Sequence, residues 1–183
     1  VSGGVEGNTV LVIGGGPIGL GVVLMAIEAG ASKVIVSEPD PVRRACALEL
    51  GADAAFDPLS EKPAKAISAA GFRAPDVVFE CVGAPSLLQQ TVDVMARHGR
   101  GVIVGVCRTE DRFYPARAVG KQVALFFALG YTDADFDFVV RYLANNAERA
   151  GKMISQVVSM ADLPDTFDRL QKQKSLVKVM MKP

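Results

Sequence analysis

The residues of this chain whose types and spacing could do chemistry lie near its start, where the run TVLVI leads into Gly14-Gly15-Gly16-Pro17-Ile18-Gly19. Three of these glycines have a mechanical reason. Gly14 permits a tight turn, Gly16 removes the side chain that would stand between backbone and a pyrophosphate, and Gly19 lets a following helix press against the preceding strand. The orphan N–H groups of the helix start, near Ile18 and Gly19, then face phosphates with the positive end of the helix dipole behind them. Such a dipole contributes roughly 0.3–1 kcal/mol per charge, up to ~2 kcal/mol when partly buried, so it positions a ligand rather than supplying all its affinity. In a chain with 18 glycines a plain glycine-rich turn is the alternative explanation of the spacing. Context decides between them. The next apolar run, KVIVS, ends at Glu38, 19 positions after Gly19, where a carboxylate is wanted for ribose hydroxyls. A Rossmann-like methyltransferase shares the loop, but three glycines, Pro17, Ile18 and Gly19 followed by an acid fit NAD better. Arg43 and Arg44 are the basic residues that could hold the 2′-phosphate of NADP, and Glu38 opposes that reading by charge. NAD(H) is therefore the expected partner, and Arg44 is read as part of a solvated helix face.

The elements that must position this loop follow from periodicity. Short, nearly continuous apolar runs alternate with helical stretches, the pattern of parallel strands buried on both faces. Six strands are expected: Thr9 to Ile13, Lys33 to Ser37, Ala54 to Phe56, Asp76 to Cys81, Arg100 to Gly105 and Gln122 to Leu129. Helices fall at about Pro17 to Ala29, Pro41 to Leu50, Ser60 to Ala70 and Pro85 to Ala96. Right-handed crossovers make this an α/β, doubly wound, parallel six-stranded sheet, a Rossmann fold. The link Val106 to Lys121 shows no helical period and reads as loop with room for one edge strand. Thr132 with Asp135 resembles a capping pair opening a helix whose Phe136, Val139, Val140, Leu143 and Ala147 share one face. A strand Val157 to Ser159, a helix from Asp162 and a strand Leu176 to Met181 complete a C-terminal α+β extension. The division expected is 1–131 for the dinucleotide-binding domain and 132–183 for the extension.

Composition excludes several classes. Half of the 183 residues are apolar, enough for one substantial core, and 20 basic residues balance 20 acidic ones without a block of either sign. Nucleic acid and membrane surface are poor partners for such a chain. Cys46, Cys81 and Cys107 are an odd number at wide spacing, which fits reduced thiols and a cytoplasmic location. Cys46 reads first as helix packing and Cys81 as strand-end packing, although Cys81 near a nicotinamide would be open to reaction.

With these residues in place the sequence resembles the medium-chain dehydrogenase/reductase superfamily, of the zinc-dependent alcohol, sorbitol and butanediol dehydrogenase type. The blocks that carry the resemblance are GNTVLVIGGGPIGLG, KVIVSEPDPVRRACALELGADAAFDP, DVVFECVGAPSLLQQ, GRGVIVGV and LGYTDADF. It implies that Glu38 holds the adenosine ribose and that Arg43 lies over its 3′ side. It further implies that Cys81, Val82 and Gly83 line the adenine and nicotinamide-ribose side, and that Val104, Gly105 and Val106 carry the nicotinamide. Phe127 and Ala128 would offer backbone groups to the carboxamide. Side-chain identity alone reads Val82, Val104 and Val106 as strand core.

In the resembling family a zinc ion held by a preceding GroES-like domain polarises the alcohol or carbonyl oxygen while hydride passes to or from the nicotinamide. No such domain is expected within these residues. One histidine, His98, in a solvated turn, and three scattered cysteines cannot assemble a three-ligand or four-cysteine zinc site, so neither catalytic nor metal residues are assigned here. Two readings stay open: the cofactor half of an NAD-dependent zinc alcohol dehydrogenase acting on a small alcohol or carbonyl substrate, or a stand-alone NAD-binding or redox-sensing module. A fragment of a zinc-free quinone or enoyl reductase is a further variant. The resemblance also implies a homodimer joined at sheet edges, with Arg112 to Tyr114 as the candidate edge.

Overall fold

A computed structural model describes residues 3–172 and 175–182. Val1 and Pro183, the outer bounds of the two expected units, lie outside the described residues. The elements run β1 (Thr9–Ile13), α1 (Pro17–Glu28), β2 (Lys33–Ser37), α2 (Pro41–Glu49), β3 (Ala54–Phe56), α3 (Pro63–Ala69), β4 (Val77–Glu80), α4 (Leu87–Val94), β5 (Arg100–Ile103), α5 (Pro115–Lys121), β6 (Ala124–Phe127), α6 (Asp133–Gly151), β7 (Ile154–Ser159), α7 (Leu163–Lys172) and β8 (Lys178–Lys182). The first six strands form one sheet in the order β3-β2-β1-β4-β5-β6, every neighbouring pair parallel. The order reverses between β1 and β4, which opens a crevice beyond their carboxyl ends.

Alternation along the strands feeds two cores. Val10, Val12, Val34, Val36 and Val77 pack beneath α1 and α2 with Leu20, Leu24, Ala47 and Leu50. Leu11, Ile13, Ile35 and Val78 face the other way, against Ile67 of α3 and Val92 of α4. Burial on both faces is why these runs are apolar at every position rather than at every second one. Proline opens α1, α2, α3 and α5, and Asp40 caps α2 by accepting hydrogen bonds from the Val42 and Arg43 N–H groups at 2.9 and 3.1 Å. No helix among the described residues is long and apolar enough to cross a membrane.

Two expectations are corrected. The link after β5 contains helix α5, which buries none of its residues and therefore carries no apolar period to read. Its Lys121 is nonetheless structural, since Nζ donates to the carbonyls of Val92, Asp93 and Met95 at the end of α4, at 3.0, 2.6 and 2.7 Å. Second, Arg112 to Tyr114 forms no strand: Phe113 packs on the second core and the Tyr114 N–H donates to Gln89 Oε1 at 2.5 Å. The edges of the sheet are β3 and β6, and among the described residues β6 pairs with β5 alone. Helix α6 docks through the buried Tyr142, while Phe136, Val139, Val140 and Leu143 of its apolar face are largely exposed. The expected capping box of Thr132 and Asp135 is present.

The extension is fastened at definite points. β7 and β8 pair in parallel, and Val177, just before β8, belongs with Tyr142 to the core under α1. Arg149 of α6 reaches across to α2, where Nε donates to the Leu50 carbonyl at 2.8 Å and Nη2 shares that oxygen. The guanidinium lies over Gly51, whose φ of +97° already favours glycine. Hydrogen bonds from a charged group contribute about 1.5–3 kcal/mol, so Arg149→Ala is expected to lower the unfolding free energy by about that much. Urea denaturation of the two chains measures it; coincident midpoints would mean that α6 is held by Tyr142 alone.

Candidate dinucleotide-binding cleft

The loop between β1 and α1 is shaped by what each glycine would otherwise strike. Gly14 turns with φ +100°, donates its N–H to the Ser37 carbonyl at 2.8 Å, and leaves room for Val82, whose Cγ2 would lie 2.6 Å from a Cβ there. A Cβ on Gly19 would collide with the carbonyl oxygen of Gly14, so the first turn of α1 rests directly on the loop backbone. Gly16 is different. A Cβ at Gly16 would meet only Arg43 Nη1, at 3.8 Å, and would project into open space. That glycine serves room for a ligand, not the fold. The middle glycine, to which the spacing assigned nothing, has the closest functional neighbour: a Cβ on Gly15 would stand 2.9 Å from Cγ of Glu38.

Glu38 follows β2 and is only 5% exposed. Its Oε2 accepts the Gly15 N–H at 2.6 Å and its Oε1 the Asp40 N–H at 2.9 Å, so one carboxylate ties the glycine loop to the start of α2. Arg44 is not a solvated residue, because Nη1 donates to the carbonyls of Glu38 and Pro39 at 2.8 and 2.7 Å and lies 3.8 Å from Asp57. Arg43 instead faces the cleft. Its Nη2 donates to the Leu176 carbonyl at 3.1 Å, while Nε is buried without a hydrogen-bond partner. Together Gly14, Gly16, Glu38, Asp40, Arg43, Cys81 and Val82 line a cleft of about 680 Å³. No side chain caps α1, so the N–H groups at its start stay available.

The loops after β4 and β5 build the other side. Cys81 is tied to β1 through its N–H to the Ile13 carbonyl at 2.9 Å, and the Val104 and Gly105 N–H groups both reach the Glu80 carbonyl. Val82 and Val106 are 51% and 63% exposed, which removes the strand-core reading for both; Val104 alone packs against the core. The expected strands ran too long here because apolar residues continue past Glu80 and Ile103 into loops that line cavities. Gly105, Val106, Phe127 and Ala128 share a second cavity of 420 Å³ with Glu80. The Ala128 N–H already donates to the Ile103 carbonyl at 2.9 Å and is not free for a ligand. Gly83 joins the two loops, since a Cβ on it would stand 2.5 Å from the Val106 nitrogen. Pro17 and Ile18 open instead onto a third, apolar cavity of 500 Å³ bordered by Val139, Leu143 and Met180. Glu80 and Asp40 escaped sequence reading; the E at the end of VVFE was the available signal, a lone acid closing a buried strand.

A family model described as zinc-binding dehydrogenase matches residues 17–145. The chain belongs to that family. It is 36% identical over 185 residues to the scyllo-inosose 3-dehydrogenase of Thermotoga maritima, covering 96% of this chain and 46% of that protein. The crystal structure of 2R,3R-butanediol dehydrogenase from Bacillus subtilis superposes with a TM-score of 0.88 at 31% identity, over 100% of this chain and 52% of that one. A zinc-binding dehydrogenase from Sinorhizobium meliloti 1021, bound to NADP, gives 0.82 at 30% identity over 100% of this chain and 54% of its own. The chain thus spans about half the length of the curated relatives it matches. Among the described residues no group of three or more His, Cys, Asp or Glu could hold a metal ion. The zinc-binding dehydrogenase fold here therefore presents clefts and oriented backbone, and His98 stands alone in its turn at φ +60°.

The three cysteines are unpaired. Burial, reinforced by the neighbouring Glu80 carboxylate, pushes the Cys81 thiol up to about 12. It is a protonated, unreactive thiol at neutral pH, not a nucleophile. Iodoacetamide at pH 8 is expected to leave Cys81 unmodified in the folded chain and to alkylate it after denaturation, read by peptide mass spectrometry. Prompt labelling of Cys81 in the folded chain would contradict this placement.

Proposed function

We propose that this chain is the NAD-binding half of a dehydrogenase that, as a whole protein, passes hydride between NAD and a small alcohol or carbonyl compound. The observation that carries the reading is the cradle at Gly16, open to the cleft above an uncapped helix start and beside the buried Glu38 carboxylate. Pyrophosphate oxygens would take the N–H groups of the α1 start, and Glu38 would exchange its hold on Gly15 and Asp40 for ribose hydroxyls. The buried Nε of Arg43 supplies a donor that the protein itself does not satisfy. When bound, the cofactor supplies the hydride chemistry; the chain's residues bind it, orient it and hold its reactive half over β4, β5 and β6. In our reading 1–131 is the cofactor unit, and 132–183 is the part whose bare apolar face would complete a second domain bearing zinc and substrate.

The choice of NAD over NADP rests on charge. A 2′-phosphate at the ribose edge would meet the Glu38 carboxylate, which forms no ion pair among the described residues; of the two arginines that could offset it, Arg44 is committed to backbone carbonyls, and Arg43, on the same cleft, is read as lying over the 3′ side. The Sinorhizobium neighbour, solved with NADP, shows that likeness of fold does not choose the cofactor. The three unpaired thiols fit a cytoplasmic location. The sheet edge at β6, which ends at exposed Phe127 and is followed by exposed Leu129, is where two copies would join into a dimer.

Calorimetric titration is expected to show NAD(H) binding at least tenfold tighter than NADP(H); equal or reversed affinities would remove the role given to Glu38. Gly16→Val is expected to abolish binding while leaving the melting temperature near that of the parent, because its Cβ meets no packed atom of the protein. Loss of folding in that variant would count against the open cradle. Alcohol oxidation by the 183-residue chain alone, with or without added zinc, is expected to be nil, and zinc-dependent turnover would refute the division of labour.

A further inference from the structure

A second buried carboxylate sits where the proposed site does not yet use it. Glu80 ends β4 and is 3% exposed. Its Oε1 accepts the N–H groups of Val82 and Gly83 at 2.7 and 3.0 Å, and Oε2 accepts the Gly83 N–H at 3.2 Å. Both oxygens act only as acceptors, the role of the ionised form. None of the ion pairs of the described residues includes Glu80, so no side-chain cation neutralises it. Oε2 keeps unused acceptor capacity and points at Gly105, where a Cβ would lie only 2.7 Å away, along the wall of the 420 Å³ cavity that it shares with Val106 and Phe127.

In a doubly wound sheet of this strand order the dinucleotide lies across the switch point, with one nucleotide over each half. Glu38 serves the half over β2, which leaves the half over β4, β5 and β6 for the nicotinamide. The oxidised ring carries a delocalised positive charge, and the reduced ring is neutral. A fixed negative charge in a poorly solvated wall therefore favours one redox form over the other. Resting on the NAD-binding reading above, we infer that Glu80 is a positioning residue with a second role: it holds the 81–83 loop in place and its charge selectively stabilises the oxidised nicotinamide, so that the bound cofactor accepts hydride less readily than it would beside a neutral wall. Its hydrogen bonds order the loop for both forms of the cofactor. Its charge separates them.

Two variants of the 183-residue chain decide this, titrated separately with NAD+ and with NADH. Glu80→Gln keeps the shape and an acceptor oxygen but removes the charge, and is expected to lower the ratio of NAD+ to NADH affinity roughly tenfold. Glu80→Asp keeps the charge with a shorter reach, and is expected to hold the parent ratio within about threefold even where both affinities fall. A Glu80→Gln variant that weakens both forms by one factor would show a purely structural residue and overturn the inference. Should Glu80→Gln not fold, a folded Glu80→Asp that has lost the parent ratio overturns it equally. If the parent chain binds neither form, the failure lies with the NAD-binding reading itself, and the inference falls with it.

Discussion

Helix α1 can rest on the end of β1 only because Gly19 has no side chain to strike the Gly14 carbonyl oxygen. That contact is the constraint on which the rest of the site depends. It brings the N–H groups of the α1 start to the mouth of the crevice, and it forces the intervening loop into a path along which Gly15 passes within hydrogen-bonding distance of Glu38. The Val82 side chain at Gly14, the Glu38 side chain at Gly15 and the Gly14 carbonyl at Gly19 leave no room for an ordinary residue at three of the four positions. At the fourth, Gly16, the protein asks for nothing, and the vacancy is the ligand's.

Buried carboxylates organise both halves of the crevice in the same way. Glu38 after β2 binds the N–H groups of Gly15 and Asp40, and Glu80 at the end of β4 binds those of Val82 and Gly83. Each charge is offset by backbone dipoles rather than by a lysine or arginine, which keeps the loops ordered while leaving the negative potential to act on whatever enters. Relatives that share this frame act on substrates as unlike as scyllo-inosose and a butanediol, at 36% and 30% identity.

The extension after β6 shows a different balance. Its helix carries an apolar stripe, yet the docking residues are Tyr142, at the stripe's margin, and Arg149, which no hydrophobic period would select. The stripe itself borders the 500 Å³ cavity with Pro17, Ile18 and Met180 and stays bare. Amphipathic spacing reports that a face is apolar; it is silent about which body covers it.

Strand and helix order, the parallel sheet and the glycine loop with its acid were legible in the residues alone, because local period, first-turn prolines and a short-range motif encode them. The ends of β4, β5 and β6 were not, since exposed Val82 and Val106 look like core until the chain is folded. Helix α5 buries nothing and so left no period; the edge expected at Arg112 to Tyr114 proved to be a packed loop. Only the tertiary structure joined Gly15 to Glu38 across 23 positions, turned Arg44 onto backbone carbonyls, left Arg43 Nε without a partner and set Glu80 against Gly105. Those relations are set by distances between segments remote in sequence, and a spacing along one chain carries no record of them.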